Sequence, residues 1–413
     1  MTNSPDASLA LYVHIPYCVR KCPYCDFNSY GLDTIDGAPP EQRYAAALTH
    51  ELQFYAAEEE WQERTCHSVF FGGGTPSLFQ STTIALILDA IGKTFRLRSD
   101  AEITLEANPG TVAEQVDLEK FKALRAAGIN RVSLGAQSFS ADKLRALGRI
   151  HQPQDIAGAV ANVRNAGIEN CNLDLIFGVQ GETDELWEQD LASALALSPE
   201  HLSLYSLTIE PGTEFARLRR KGLLPSPDED ITSSRYRLAV DRAAEKGFAR
   251  YEISNFAREG FTCRHNISYW DGSDYLGLGA GAHSFLAGRG NGLGRRWSNI
   301  PHPEHYMARV RERGDASQRR ESIDREAQEL EFLYTRLRTV WGIAFTEYHE
   351  RFDLEFREAY QTTLPELEQE GLLVITDQRA FLSDRGFLFG DYVTERLAQS
   401  PRRTSPIVAE NRS

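Results

Sequence analysis

Residues 12–30 read YVHIPYCVRKCPYCDFNSY and place Cys18, Cys22 and Cys25 within eight positions, separated by three and then two residues. The cluster follows ALYVHI (10–15), a β-branched and aromatic run that reads as a strand. A structural zinc site closes with four ligands, so three thiols would have to recruit His14 or the distant Cys263. A disulfide would strand one thiol and needs an oxidising compartment. A cubane of four irons suits three thiolates on one tight loop, because the remaining iron stays open to a ligand that is not protein. The odd number of thiols favours that third reading over the other two.

Outward from this loop the chain repeats a strand-then-helix pattern. Apolar runs follow at SVFFGG (68–73), EITLEANP (102–109), RVSLGAQS (131–138), NLDLIFGV (172–179) and HLSLYSLT (201–208), which with the first makes six strands. Helical patterns lie between them, such as EQRYAAALTHELQFYAAEEE, DLEKFKALRAAGI, DIAGAVANVRNAGI and DELWEQDLASALAL, several ending in glycine as helix C-caps do. Repeats of this kind build a parallel sheet with helices outside, and in barrels function collects beyond the C-terminal ends of the strands. Polar residues stand there: the cysteines after the first strand, GGGTPS (72–77) after the second, Glu106, Gln137 and Asp174 on the third, fourth and fifth.

Cys-x-x-x-Cys-x-x-Cys after one strand and a glycine triplet after the next resemble the radical S-adenosylmethionine superfamily. The resemblance implies an α/β fold, a partial (β/α)6 barrel, with a 4Fe-4S cluster on Cys18, Cys22 and Cys25. Its open iron chelates the amino and carboxylate groups of S-adenosylmethionine, and an electron from the cluster cleaves the sulfonium to a 5'-deoxyadenosyl radical. In that frame Gly73, Gly74 and Thr75 approach the methionine moiety without Cβ obstruction. Glu106, Gln137 and Asp174 supply acceptors for the ribose and ammonium groups, and Arg149 offers a planar fork to the carboxylate. Tyr24 is a candidate to pack on adenine, and Tyr12 faces the same mouth.

The resemblance narrows further. YVHIPYC, GGGTPS, EANPG, GAQSF, GRIH and NLDLIFGV, in that order, are similar to the oxygen-independent coproporphyrinogen III dehydrogenase family. Two features depart from those enzymes: Asp26 and Phe27 follow Cys25 where they carry Cys-x-Cys, and only eleven residues precede Tyr12 where they carry an N-terminal extension. Downstream, His265, Asn266, Tyr269 and Trp270 form His-Asn-x-x-Tyr-Trp, similar to the signature of the family's haem-chaperone branch. That likeness implies haem as a third cofactor, with His265 as its axial ligand, His283 second and Cys263 a remote third; Ala280 stands where the branch often shows cysteine. Imidazole and flanking aromatics suit an iron macrocycle. The expected function is haem binding and transfer to a haemoprotein acceptor, membrane-associated in this reading, with a homodimer also compatible. The alternatives are oxidative decarboxylation of porphyrinogen propionates and radical chemistry on an unrelated substrate, so enzymatic activity is left open.

Composition bounds the rest. With 45 basic and 59 acidic residues the 413-residue chain carries a net charge of -14 without long blocks of one sign, which argues against nucleic acid as a partner. No apolar run approaches the roughly 20 residues of a membrane-spanning helix, and no leader is evident, so a cytoplasmic location is expected. The expected organisation is a barrel over 1–235, a connecting segment with the His-Asn-x-x-Tyr-Trp motif over 236–303, and a small α-rich, winged-helix-like domain over 304–400. A polar tail over 401–413 is expected to be disordered.

Overall fold

The computed structural model describes residues 8–400 apart from 36–37, 63, 111–113 and 289–291, so the expectation for the tail lies outside the described residues. All six expected strands are present and parallel: β1 (Ser8–Ile15), β2 (Thr65–Gly73), β3 (Arg96–Ala107), β4 (Arg131–Gln137), β5 (Asn170–Phe177) and β6 (His201–Ser206). They lie side by side in chain order. Every residue of β4 is buried, as a central parallel strand covered on both faces requires. The crossover helices earn their places by pattern and cap. In Ser81–Thr94 the buried residues are Ile84, Ile87, Leu88 and Ile91, one helical stripe. Asp184–Ala196 starts where the Thr183 side chain accepts from the Leu186 amide.

The sheet does not end with these six strands. Tyr275–Leu278 adds to β1 in parallel, and His283–Leu286, Gly294–Asn299 and Ser317–Ile323 extend it antiparallel. Beyond β6 lie Asn255–Ala257 and Ala249–Arg250, giving one open sheet of 12 strands. The sequence boundaries therefore fall inside continuous structure. The one at 235/236 cuts the helix Glu229–Glu245, and Tyr306, Val310 and Ala316 still belong to the barrel core. A second core begins at Phe332 and runs to Leu397, around the helix Arg325–Leu337 and a three-stranded antiparallel sheet of Ile343–Ala344, Arg379–Leu382 and Leu373–Ile375. This C-terminal unit is held to the barrel through Arg336, which donates to the Trp270 and Asp271 carbonyls, and through Val340, whose amide donates to the Tyr251 carbonyl at 3.1 Å. No helix among the described residues is long and apolar enough to cross a membrane.

Candidate functional site

The cysteine loop leaves the C-terminal end of β1 and is pinned at both edges. Tyr17–Cys18 pairs with Tyr30–Gly31, and the Cys25 amide donates to the Cys22 carbonyl at 3.2 Å. The glycine triplet closes against the root of the loop: the Gly74 amide donates to Ile15 O at 2.8 Å and the Thr75 amide to Tyr17 O at 2.8 Å. A Cβ on Gly74 would lie 2.6 Å from Tyr17 O and 2.7 Å from Tyr17 N, so this glycine is required by backbone packing. Gly73 takes φ +110° with the His14 ring where a Cβ would sit.

All three loop thiols are free and half-buried, whereas Cys66, Cys171 and Cys263 are free and buried. Thr75 Oγ1 donates to Cys18 Sγ at 3.6 Å, and Arg149 Nη1 to Cys22 Sγ at 3.6 Å. Asn108 joins these two donors: its Nδ2 donates to Thr75 Oγ1 at 2.9 Å, and its Oδ1 accepts from Arg149, whose guanidinium also reaches Gly135 O at 2.8 Å. The result is a continuous polar arc from Cys18 through Thr75, Asn108 and Arg149 to Cys22. Sequence reasoning missed Asn108, although EANPG contains it; the signal was a polar residue one step past a strand end. Among the described residues no three cysteine, histidine or carboxylate side chains converge on a single point. Soft thiolates spread along a loop suit a polynuclear iron-sulfur group, in which each sulfur takes a different iron, and donor hydrogen bonds to the sulfurs are the usual tuning partners.

Below the mouth the barrel bore is polar. Glu106, Ser133, Asn172 and His201 share one rung of the sheet. Glu106 accepts from the Gly73 amide at 3.1 Å. Burial, and then the charge of Asp174, push the Glu106 carboxyl up to about 8. Asp174 sits above that rung, accepting from Asn172 Nδ2 at 2.7 Å and Ser133 Oγ at 3.2 Å, and burial raises its carboxyl as well. Gln137 ends β4 with φ +64°, a left-handed turn on a non-glycine residue. Tyr24 leans on Phe215 at 6.3 Å within an apolar satellite cluster beside Leu147 and Ile176. Tyr12 donates to or accepts from His14 Nδ1 at 3.0 Å and lines, with His14, Glu106 and the exposed His283, a cavity of about 530 Å³.

His265, the residue expected to meet haem iron, lies in the interior. It lies on the short helix Arg264–Trp270, which enters the bore and presents its N-terminal end to Glu102 of β3. The imidazole is 1 % exposed and stacks on Phe70 at 5.0 Å. Its Nδ1 is paired with Ser68 Oγ at 3.1 Å and its Nε2 with the Tyr269 hydroxyl at 2.9 Å. Burial drives it down to about 3, so it is neutral. Both ring nitrogens, one as donor and one as acceptor, are thus engaged within the protein, and no iron reaches this ring until one of those bonds opens. Cys263 is equally enclosed, with its Sγ on Glu102 at 3.3 Å.

Comparison with known proteins meets this geometry from the other side. The model of the radical SAM superfamily matches residues 12–194, and that of the HemN C-terminal domain residues 323–389. The chain is 38 % identical to the heme chaperone HemW of Haemophilus influenzae over 92 % of its own length and 95 % of that protein. It is 36 % identical to HemW of Mycobacterium tuberculosis over 95 % of each chain. Among solved structures, the radical SAM enzyme coproporphyrinogen III oxidase (HemN) of Escherichia coli superposes with a TM-score of 0.79 at 23 % identity, covering 96 % of this chain and 91 % of the other, a likeness of fold.

Proposed function

Because this chain belongs to the family of the haem chaperone HemW, within the radical SAM superfamily, we propose that it binds haem and passes it to haemoproteins while carrying a 4Fe-4S cluster and S-adenosylmethionine. The observation that carries the cofactor part is the arc Cys18, Thr75, Asn108, Arg149, Cys22, which gives two of the three thiols a hydrogen-bond donor at the barrel mouth. Cys18, Cys22 and Cys25 would hold the cluster, which would supply one-electron reduction of the S-adenosylmethionine sulfonium. The chain's own residues bind and orient. Gly73, Gly74 and Thr75 form the turn that borders the loop, and Arg149 steadies it from below. The committed contacts of Arg149 make it a positioning residue for the loop more than a free fork for a carboxylate.

Glu106 and Asp174 present acceptors in the bore, with Gln137 above them and Tyr12 on its side, while Tyr24 packs on Phe215 beside the cysteine loop. An acceptor haemoprotein, its membrane association, a homodimer and a cytoplasmic location are parts of the same proposal. Anaerobic reconstitution followed by haem titration tests the reading: saturable one-to-one binding, read at the Soret band, is expected alongside about four irons per chain. Turnover of coproporphyrinogen without saturable haem binding would replace the chaperone by the decarboxylase. Asp174→Ala is expected to weaken S-adenosylmethionine binding with iron content unchanged, and equal affinity by calorimetry would remove Asp174 from the site.

A further inference from the structure

A second and larger cavity lies at the opposite side of the motif helix. Its volume is about 1080 Å³, and it opens between the barrel and the C-terminal unit. One wall is Tyr269, Trp270 and Tyr275; the facing wall is Phe332 and Phe352 from the second core. Tyr269 and Tyr275 stand edge to face with ring centroids 4.8 Å apart and line the smaller, cluster-side cavity too. A two-tyrosine partition therefore separates the chambers.

The larger chamber is lined by charged groups as well as rings. Of its lining cations, Arg296 is paired with Glu331 at 2.8 Å, but Arg336 and Arg351 share the single carboxylate of Glu347. Asp274, also on the wall, is already taken by Arg64 at 2.7 Å and by the Ala287 amide, while Glu350 is exposed at the rim. Burial, and then the nearness of Arg336, lower the basicity of Arg351, against the opposing pull of Glu347, Asp271 and Asp274. The chamber thus combines a volume at the upper end of ligand sites, aromatic walls and two adjacent guanidinium groups, Arg336 and Arg351. Its lining holds no histidine, cysteine or methionine among the described residues. An imidazole waits one layer behind, His265, covered by the Tyr269 hydroxyl at 2.9 Å.

We propose that the haem of this protein lies in this interdomain chamber, its macrocycle against Tyr269, Trp270 and Phe332 and its propionates toward Arg351. The proposal rests on the haem-chaperone reading above and adds the place and the contacts. Bound between walls, with the imidazole reachable only after Tyr269 turns aside, haem is held by its faces and its propionates, and the lining groups able to meet its iron are the hydroxyls of Tyr269, Tyr275 and Tyr334. The chamber also explains why a motif helix ending in Tyr-Trp is tied to the C-terminal unit by Arg336.

The test titrates cluster-loaded protein with haem and with haem dimethyl ester, in wild type, Thr335→Trp and Arg351→Ala. Thr335 lines the chamber from the helix Arg325–Leu337, and tryptophan there projects an indole into the space between the aromatic walls. Thr335→Trp is expected to weaken both ligands at least about tenfold, with iron content kept. Arg351→Ala is expected to weaken haem about fivefold and leave the uncharged diester unchanged. If the wild type binds haem and Arg351→Ala binds it equally well, the chamber is not the site and the chaperone reading stands. If the wild type binds no haem specifically, the chaperone reading itself falls. Should Thr335→Trp lose its circular-dichroism melt, the Arg351 arm decides alone.

Discussion

The two ends of the barrel bore handle polar residues in opposite ways. At the C-terminal mouth the thiols of Cys18, Cys22 and Cys25 are half-buried and incompletely satisfied, with long sulfur contacts to Thr75 and Arg149. At the other end His265 is closed on both nitrogens and shut under Phe70 and Tyr269. A buried polar group with all partners inside the protein is structural, whereas donors left short of partners at an opening are positioned for something else. The motif that looked most like a ligand set is, in this conformation, a plug.

The mouth gives the largest expected effect. Cys22→Ala leaves two thiolates for the cluster and is expected to abolish the brown iron-sulfur absorption after anaerobic reconstitution; full iron and sulfide would break the distinction between the two ends. At the plug the expected loss is of stability. His265→Ala strands Ser68 and Tyr269 and opens a void beneath Phe70, at a cost of about 3 kcal/mol in urea unfolding of the apoprotein. His283→Ala, on an exposed ring, is expected to change stability by less than about 0.5 kcal/mol. Equal effects of the two would mean that His265 is not held as the hydrogen bonds show.

What was readable follows the same division. The six strands and the mouth were legible because each depends on local pattern: buried β-branched runs, glycine where a Cβ meets backbone, and thiols at fixed spacing. The added strands were not, since Tyr275–Leu278 and His283–Leu286 have four residues each, too short for a period, in a glycine-rich stretch. Nor could the enclosure of His265 be read. Its helix is only seven residues long, and the group that receives its N-terminal amides is Glu102, more than 160 positions away in sequence. A carboxylate there offsets the helix dipole and the unpaired amides, so a polar segment becomes an interior one. The sequence also hid Asn108 as a connector, because its two partners come from separate loops.

A smaller effect separates packing from ligand roles in the glycine turn. Gly74→Ala puts a methyl group against Tyr17 O and N, backbone atoms that cannot swing away, so the cysteine loop must shift. The expected cost is about 2 kcal/mol, together with slower cluster assembly, and both should appear in protein without S-adenosylmethionine. A variant that assembles its cluster normally and fails only in binding the cofactor would return Gly74 to a purely ligand-facing role.

The last expected effect is a pH dependence that places Glu106 between the two regimes. Its carboxyl is enclosed enough to be pushed up to about 8 yet still borders the cluster-side cavity. In the unfolded chain a glutamate titrates near 4.3. A raised folded value means that the folded protein binds the extra proton, so this group's contribution is fully present below the unfolded value and is lost as pH rises through about 8. Stability of the apoprotein is therefore expected to fall between about pH 5 and 8, by about 2 kcal/mol once screening from the wet side is allowed for. Glu106→Gln keeps the acceptor for the Gly73 amide and removes the titration, so its profile across that window should flatten. If the variant slopes as steeply as the wild type, the proton sits elsewhere in the bore, Asp174 being the neighbour in line, and Glu106 enters the site as a carboxylate.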